Sequence, residues 1–295
     1  MKVGYPCINL SIGCTANSTF RLKNYSEKNL IEKITNNLDC LQKILEFNVR
    51  HNLLFFRISS DIVPFASHPI NTFKWQKYFE KRFEEIGKYI KEHNFRISMH
   101  PDQFVLINSP DKRIVENSIK ELIYHCEILD LMGLNKTAKV QIHIGGVYND
   151  KKKSIERFIN AYKQLPAMVK NRLVIENDER LYSLSDCLLI SQETGIPVLF
   201  DYFHHFCLNN GESYLEALKS AIKTWHKKDG LLMTDYSTQK RGARIGTHTH
   251  HINLKDFENY IKTTLELDFD IMLEIKDKER SALKALKVIN KWRTQ

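Results

Sequence analysis

At 295 residues, with 42% hydrophobic and 27% charged side chains, the chain has the composition of a folded globular protein, which excludes an intrinsically disordered one. Its 44 Lys and Arg against 35 Asp and Glu leave a formal charge of +9, which favours a polyanionic partner such as nucleic acid. The opening Met1-Lys2-Val3-Gly4-Tyr5 has a charge but no apolar stretch behind it, and no run has the length of a membrane span. Neither a secretory leader nor a membrane association is therefore expected, and the cytoplasm is the expected compartment.

In chain order, the first strand is expected over residues 2–8, followed by a helix over 27–47. In that helix Leu30, Ile31, Ile34, Leu38, Leu41 and Leu45 recur at helical spacing behind Ser26 as the capping residue. A strand over 53–59 precedes a helix over 73–93; a strand over 95–99 precedes a helix over 114–132. The next pairs are 138–144 with 154–169, and 172–175 with 184–194, the latter helix closed by Gly195-Ile196-Pro197. The last three are 198–200 with 213–226, 231–234 with 257–265, and 270–273 with 280–292. The strands are short, rich in Val, Ile, Leu and Phe, and lack polar alternation, as parallel strands covered on both faces do. Eight such strand–helix units without a linker or repeat predict a single-domain (β/α)8 TIM barrel over residues 1–295.

The chemistry-bearing residues fall at the ends of those apolar runs. His68, His100, His143, Glu176, Asp201, His204, Asp235, His248 and Glu274 each lie just beyond a predicted strand or in the loop after it, on the rim where barrel active sites are built. Single histidines are ordinarily surface or hydrogen-bonded core residues, and His51, His93, His125 and His226 are read so. A carboxylate at the tip of an apolar strand, as at Glu176 and Glu274, costs several kcal/mol to bury unless it is paired or metal-bound. Glu176, mid-chain, is placed to bridge two ions. Asp201 and His204 are three residues apart and can reach one ion from a single turn. In Thr247-His248-Thr249-His250-His251 one imidazole is expected to ligate. Asp235 is expected to serve as a ligand or to orient one. A mixed His/carboxylate set with few thiolates suits Mn²⁺, with Zn²⁺, Co²⁺ or Mg²⁺ as alternatives, in a cluster of two or three ions. The six cysteines form no C-x-x-C and are expected to be reduced thiols, Cys7 and Cys14 lying near the rim.

The polar, basic loop Ser237-Thr238-Gln239-Lys240-Arg241-Gly242-Ala243-Arg244 follows the seventh strand on the same rim and offers Lys240, Arg241 and Arg244 to a phosphate backbone; its bland alternative is a solvated loop. Lys151-Lys152-Lys153 is read as a solvated charge run. Gln103 beside Phe104, together with Tyr5, offers an amide and aromatic rings to enter a base stack, with core packing the alternative for the rings.

Taken in order, Gly4-Tyr5-Pro6-Cys7-Ile8-Asn9, Ser98-Met99-His100-Pro101-Asp102-Gln103-Phe104, Gln141-Ile142-His143-Ile144-Gly145-Gly146, Glu176-Asn177-Asp178, Asp201-Tyr202-Phe203-His204-His205 and Met272-Leu273-Glu274-Ile275-Lys276-Asp277-Lys278-Glu279 resemble the UV damage endonuclease family of DNA repair. The resemblance covers nearly the whole chain. It implies a TIM barrel related to endonuclease IV with a manganese-type cluster. It further implies incision immediately 5′ to a cyclobutane pyrimidine dimer or 6-4 photoproduct, with a 3′-hydroxyl and a 5′-phosphate as products. Carried onto this chain it makes His68, His100, His143, Glu176, Asp201, His204, His248 and Glu274 the ligands, with Glu176, His143, Glu274 and His204 central to catalysis. Gln103, Phe104 and Tyr5 become the residues that probe the lesion in duplex DNA, and a monomer is expected. Some relatives have a carboxylated lysine and then a histidine after strand seven, where this chain has Met233 and Asp235; a methionine cannot carry a carbamate. Rival readings are an abasic-site endonuclease, a metal-dependent sugar isomerase on the same barrel, and a non-catalytic DNA-binding barrel.

Overall fold

The apolar runs become eight short strands, β1 (Val3–Pro6), β2 (Phe55–Ile58), β3 (Arg96–Met99), β4 (Lys139–His143), β5 (Leu173–Glu176), β6 (Val198–Asp201), β7 (Leu232–Tyr236) and β8 (Phe269–Leu273). In the computed structural model, which describes residues 1–293, they pair in parallel and in chain order into one closed barrel. The helices are α1 (Glu27–Arg50), α2 (Trp75–Tyr78), α3 (Glu80–Glu92), α4 (Lys112–Leu131), α5 (Lys151–Gln164), α6 (Ala167–Lys170), α7 (Leu184–Thr194), α8 (Tyr202–Cys207), α9 (Tyr214–Ile222), α10 (Leu254–Thr263) and α11 (Glu279–Arg293). None is long and apolar enough to cross a membrane.

The departures from the expected elements have local causes. The helix expected over 154–169 is cut after Gln164, because Pro166 drives Leu165 to an extended conformation with ψ 148°. The one expected over 73–93 breaks at Phe79 into α2 and α3. Helix α8 is an addition: the Asp201 side chain ends β6 and accepts from His204 N at 2.6 Å, so the strand tip is also the helix cap.

A two-residue period inside the barrel explains where the chemistry goes. Phe55, Val174, Leu199, Met233 and Met272 form a small apolar cluster of their own, apart from the main core. Two residues further along the same strands stand Arg57, Glu176, Asp201, Asp235 and Glu274. Alternate strand residues share a face, so an apolar plug inside the barrel carries a charged layer directly above it, towards the C-terminal rim. Met233 therefore lies in the plug and Asp235 in the charged layer.

The larger core fills the space between barrel and helices, with Leu30, Ile34, Leu38, Leu41 and Leu45 of α1 fully buried. Tyr5 belongs to this core, which corrects its expected role in probing a lesion. Its ring is fully buried edge-on to Phe56, its hydroxyl donates to Asn48 Oδ1 at 2.6 Å and accepts from Asn9 Nδ2 at 2.8 Å, and it cannot reach a base stack.

The cysteine expectation is likewise corrected for one pair: Cys14 and Cys40 are disulfide-bonded with Cα atoms 5.9 Å apart. The long segment after β1 folds back across α1, held by the Asn37 amide, which accepts from Ser18 N at 2.9 Å and donates to Ser18 O at 3.0 Å. That return, invisible to spacing, sets Cys14 over Cys40. Cys7, Cys126, Cys187 and Cys207 are free thiols.

His125, read from the sequence as structural, is fully buried in α4, its Nδ1–H donating to the Glu121 carbonyl at 2.7 Å. Burial pushes its pKa down to about 4. The native state keeps it neutral while the unfolded chain takes up a proton below about pH 6.5, so its contribution is lost as pH falls from there towards 4. Chemical denaturation should show about 2 kcal/mol less stability at pH 5 than at pH 7 from this residue. The slope should flatten in His125→Gln; an unchanged slope would show that His125 is not its source.

Candidate active site

The charged layer is completed by His100, which follows β3, and His143, which ends β4. Among the described residues the ligand atoms of His100, His143 and Glu176 lie within 4.8 Å of one another, as do those of Glu176, Asp201 and His204, and those of Asp201, Asp235 and Glu274. Glu176 joins the first two groups. Its Oε1 is 3.3 Å from His143 Nε2 and 3.6 Å from His204 Nδ1, and its Oε2 is 3.7 Å from His100 Nε2. His248 Nε2 stands 3.9 Å from Glu274 Oε2 at the edge of the third.

Backbone carbonyls hold three of the rings. The Nδ1 of His100 meets Pro101 O at 2.8 Å, that of His204 meets Asn177 O at 3.0 Å, and that of His248 meets Glu274 O at 2.9 Å. Each bond fixes a proton on Nδ1 and leaves Nε2 as the basic nitrogen, the arrangement that orients imidazole ligands. Asn177 also clasps β5 to β6: its amide donates to Asp201 O and accepts from Asp201 N, both at 3.0 Å.

Electrostatics show what this cluster wants. Burial pushes His100 well below its ordinary value and His143 down to about 4, so both rings are neutral and available as ligands at pH 7. Burial, then repulsion from Asp235 and Glu274, raises Glu176 well above the carboxylate range, and burial raises Asp201. Asp235 is pushed up to about 7 by burial, against the pull of Arg57. For Glu274 burial is outweighed by Arg57 and His248, which hold it well below the usual range. His204 is the one ring raised: burial lowers it, but Asp201, Glu274 and Glu179 together outweigh that. Acids this crowded ionise together only if cations join them. Buried His143 Nδ1 and Asp201 Oδ2 also lack a hydrogen-bond partner among the described residues. Donor types, spacing and unpaired atoms therefore fit divalent metal ions.

His68 does not join the cluster. It is exposed on the long loop after β2, with Nδ1 accepting from Ile70 N at 3.1 Å and its ring against Phe65, and this corrects its expected place among the ligands. It lines a cavity with Ser60, Asp61, Asp102 and Phe104 and belongs to none of the three close groups among the described residues. Asp235 does face the axis, but both its oxygens already accept from Arg57 Nη2, at 2.7 and 2.8 Å. His205 is buried beside Glu212 O, away from the cluster, and His251 pairs with Asp277 at 2.8 Å.

Gln103 and Phe104 are both exposed at the rim, Phe104 to 61%. Gln103 lines a cavity of about 260 Å³ together with His100, His143, Gly145, Gly146 and Leu181, while Phe104 faces a separate one with Phe65 and His68. Gly145 sits at φ +115°, and a Cβ there would collide with Asn108 Oδ1, so only glycine lets β4 turn away and leave that wall open.

The basic loop is built and is not a loose solvated strand. Lys240 N donates to Thr247 O at 2.8 Å and Thr249 N to Thr238 O at 3.0 Å, making a hairpin with Arg241 and Arg244 exposed at its tip. The Gln239 amide organises the tip, donating to Lys240 O and Arg244 O at 3.0 Å and accepting from Gly246 N at 3.0 Å. Because the same hairpin carries His248 to the cluster, Gln239→Ala should loosen both. A fluorescence titration should then show duplex affinity falling about 5-fold, the equivalent of about one hydrogen bond's net worth. Unaltered affinity would mean the tip does not touch DNA.

Sequence reading missed Arg57, Gln141, Asn177 and Glu179. Arg57 stands two places beyond the inward Phe55, which was the available signal, whereas Gln141 stands two beyond Lys139 and had no such apolar partner. Glu179, whose Oε2 is 4.0 Å from His204 Nε2, lies in a loop and gave none.

The chain matches the family described as UV-endonuclease UvdE over residues 1–294. It is 44% identical to the UV DNA damage endonuclease of Clostridium perfringens over 296 residues, covering 99% of this chain and 72% of that protein. Among solved structures it is similar to SacUVDE, with a TM-score of 0.94 and 46% identity over 99% of this chain and 98% of that one. Endonuclease IV of Thermus thermophilus shares the fold, with a TM-score of 0.63 at 14% identity over 99% of this chain and 98% of that one.

Proposed function

Since this chain belongs to the UV-endonuclease UvdE family and is an endonuclease acting on the phosphodiester bonds of DNA, we propose that it cuts the bond immediately 5′ to UV photoproducts. Cyclobutane pyrimidine dimers and 6-4 photoproducts are the substrates in this reading, and a 3′-hydroxyl and a 5′-phosphate are the products that open excision repair. The observation that carries it is the meeting of His100, His143, Glu176, Asp201 and His204 around shared space on the barrel axis, next to an exposed Gln103–Phe104 pair.

His100, His143 and Glu176 would hold one divalent ion, and Glu176, Asp201 and His204 another, with His248 and Glu274 at the margin; manganese is the ion expected. Such ions, when bound, neutralise a phosphodiester, acidify water and stabilise the departing oxygen. The remaining work falls to the chain. Lys240, Arg241 and Arg244 engage the backbone, an attraction that weakens as salt rises. Phe104 and Gln103 enter the stack where a photodimer has already weakened it, since opening costs least there. The cavity beside Gly145 and Gly146 receives displaced bases, and the backbone carbonyls that hold Nδ1 of His100 and His204 keep the Nε2 atoms of these rings free to act as ligands. Broad lesion tolerance follows if deformability is sensed and base edges are not. The partner is duplex DNA, met by a monomer in the cytoplasm.

The test uses a duplex with one thymine dimer, assayed with Mn²⁺ and with a chelator. A single nick 5′ to the dimer that needs the ion is the expected result. Cutting that survives chelation, or no cutting of any lesion, would overturn the reading; preference for an abasic site over the dimer would move the assignment to an abasic-site endonuclease.

A further inference from the structure

The acidic layer already contains a cation of the chain's own. Arg57 Nη2 donates to Asp235 Oδ1 at 2.8 Å, to Asp235 Oδ2 at 2.7 Å and to Gln141 Oε1 at 2.8 Å, while Nη1 donates to Glu274 Oε1. The arginine side chain is 3% exposed and Asp235 is fully buried, so the pair is removed from solvent. Gln141 frames it, donating from Nε2 to Asp235 Oδ2 at 2.8 Å and to Glu176 Oε2. One amide thus ties the guanidinium to the carboxylate between the two imidazole-bearing groups.

The three ligand groups are not equivalent. His100/His143/Glu176 and Glu176/Asp201/His204 each contain imidazole; Asp201/Asp235/Glu274 is all carboxylate, and it is the group the guanidinium enters. We propose that Arg57 takes the place of a divalent ion in that third group, so that the centre holds two metal ions and one fixed guanidinium. This rests on the metal-dependent reading above.

Charge and geometry both favour it. Glu176, Asp201, Asp235 and Glu274 contribute four negative charges when ionised. Two divalent ions and Arg57 give five positive charges, leaving one in excess to meet an anionic diester. A third ion would add two more positive charges beside the guanidinium, and would have to take Asp235 from Arg57 and compete with it for Glu274, weakening the pairing of a buried cation. Arginine cannot deprotonate at any working pH, so the exclusion does not depend on pH. Nor can the guanidinium dissociate: this positive charge stays when the ions are removed.

Metal content tests the inference without any assay of activity. The protein is stripped with a chelator, dialysed to equilibrium against Mn²⁺, and both compartments are measured by elemental analysis, with circular dichroism reporting the fold. Two ions per chain are expected for the parent and for Arg57→Lys, which keeps a cation in place. Three are expected for Arg57→Met, in which Asp235 and Glu274 are freed. Three ions in the parent, or a folded Arg57→Met that stays at two, would overturn the inference. Should Arg57→Met not fold, Asp235→Asn decides: two ions are expected, because Asp235 is no ligand, and loss of one overturns the inference. A parent that binds no ion overturns the metal-dependent reading itself, and this inference with it.

Discussion

Glu176→Gln should reduce dimer incision by about 10³-fold, while affinity for the damaged duplex stays within a few-fold. Glu176 is the only member shared by the two imidazole-bearing groups, so the amide removes one anionic oxygen from both at once. Loss of several kcal/mol of charge stabilisation at the reacting phosphate corresponds to that factor. Binding should survive, because the hairpin cations and the Gln103–Phe104 pair act away from Glu176. Fold should survive too. Burial and the neighbouring Asp235 and Glu274 oppose ionisation of Glu176, so the isosteric amide relieves repulsion in the metal-free protein. Thermal unfolding without metal should therefore occur no lower than in the parent. Single-turnover kinetics, a binding isotherm and a melting curve give the three readings. Joint loss of binding and fold would mean that Glu176 is a structural residue.

Replacing Gln103 and Phe104 together with alanine should erode the preference for damaged over intact duplex, by about 10- to 100-fold. Phe104 is 61% exposed, a large aromatic ring left open to solvent at the rim. Stacking of a base on an aromatic side chain is worth about 1–3 kcal/mol, which sets the size of the effect. The single Phe104→Ala change should account for most of it, since the amide adds directionality more than contact area. Competition binding with dimer-containing and intact duplexes measures the ratio directly. An unchanged ratio would remove the wedge from the mechanism and leave discrimination to the cavity lined by Gly145 and Gly146.

The barrel was legible because most of its strands are short runs rich in Val, Ile, Leu and Phe separated by helical periods, and every observed strand overlaps its expected window. His100, His143, Glu176, Asp201, His204 and Glu274 were legible for a related reason. A polar residue at the end of an apolar strand has one place to go in a barrel, the C-terminal rim. Loop residues obey no such rule. His68 looked like its neighbours in type and position, yet it stays exposed on its long loop outside the close groups, and Glu179 reaches His204 from a loop that carried no signal. Tyr5 sits on a strand, but an aromatic ring fits either face of it. The outward face was chosen by Asn48 and Phe56, both more than 40 residues away.

The sequence by itself determined the element order, the closed parallel architecture and the set of strand-end donors, because these follow from periods of 2 and 3.6 residues that need no distant partner. Tertiary structure alone decided which donors share a centre, that Cys14 meets Cys40, and that Asp235 pairs with Arg57. Those outcomes depend on which side chains from separate strands arrive at the same height on the barrel axis. That height is fixed by strand register and loop return, and neither is written in any local stretch of the chain.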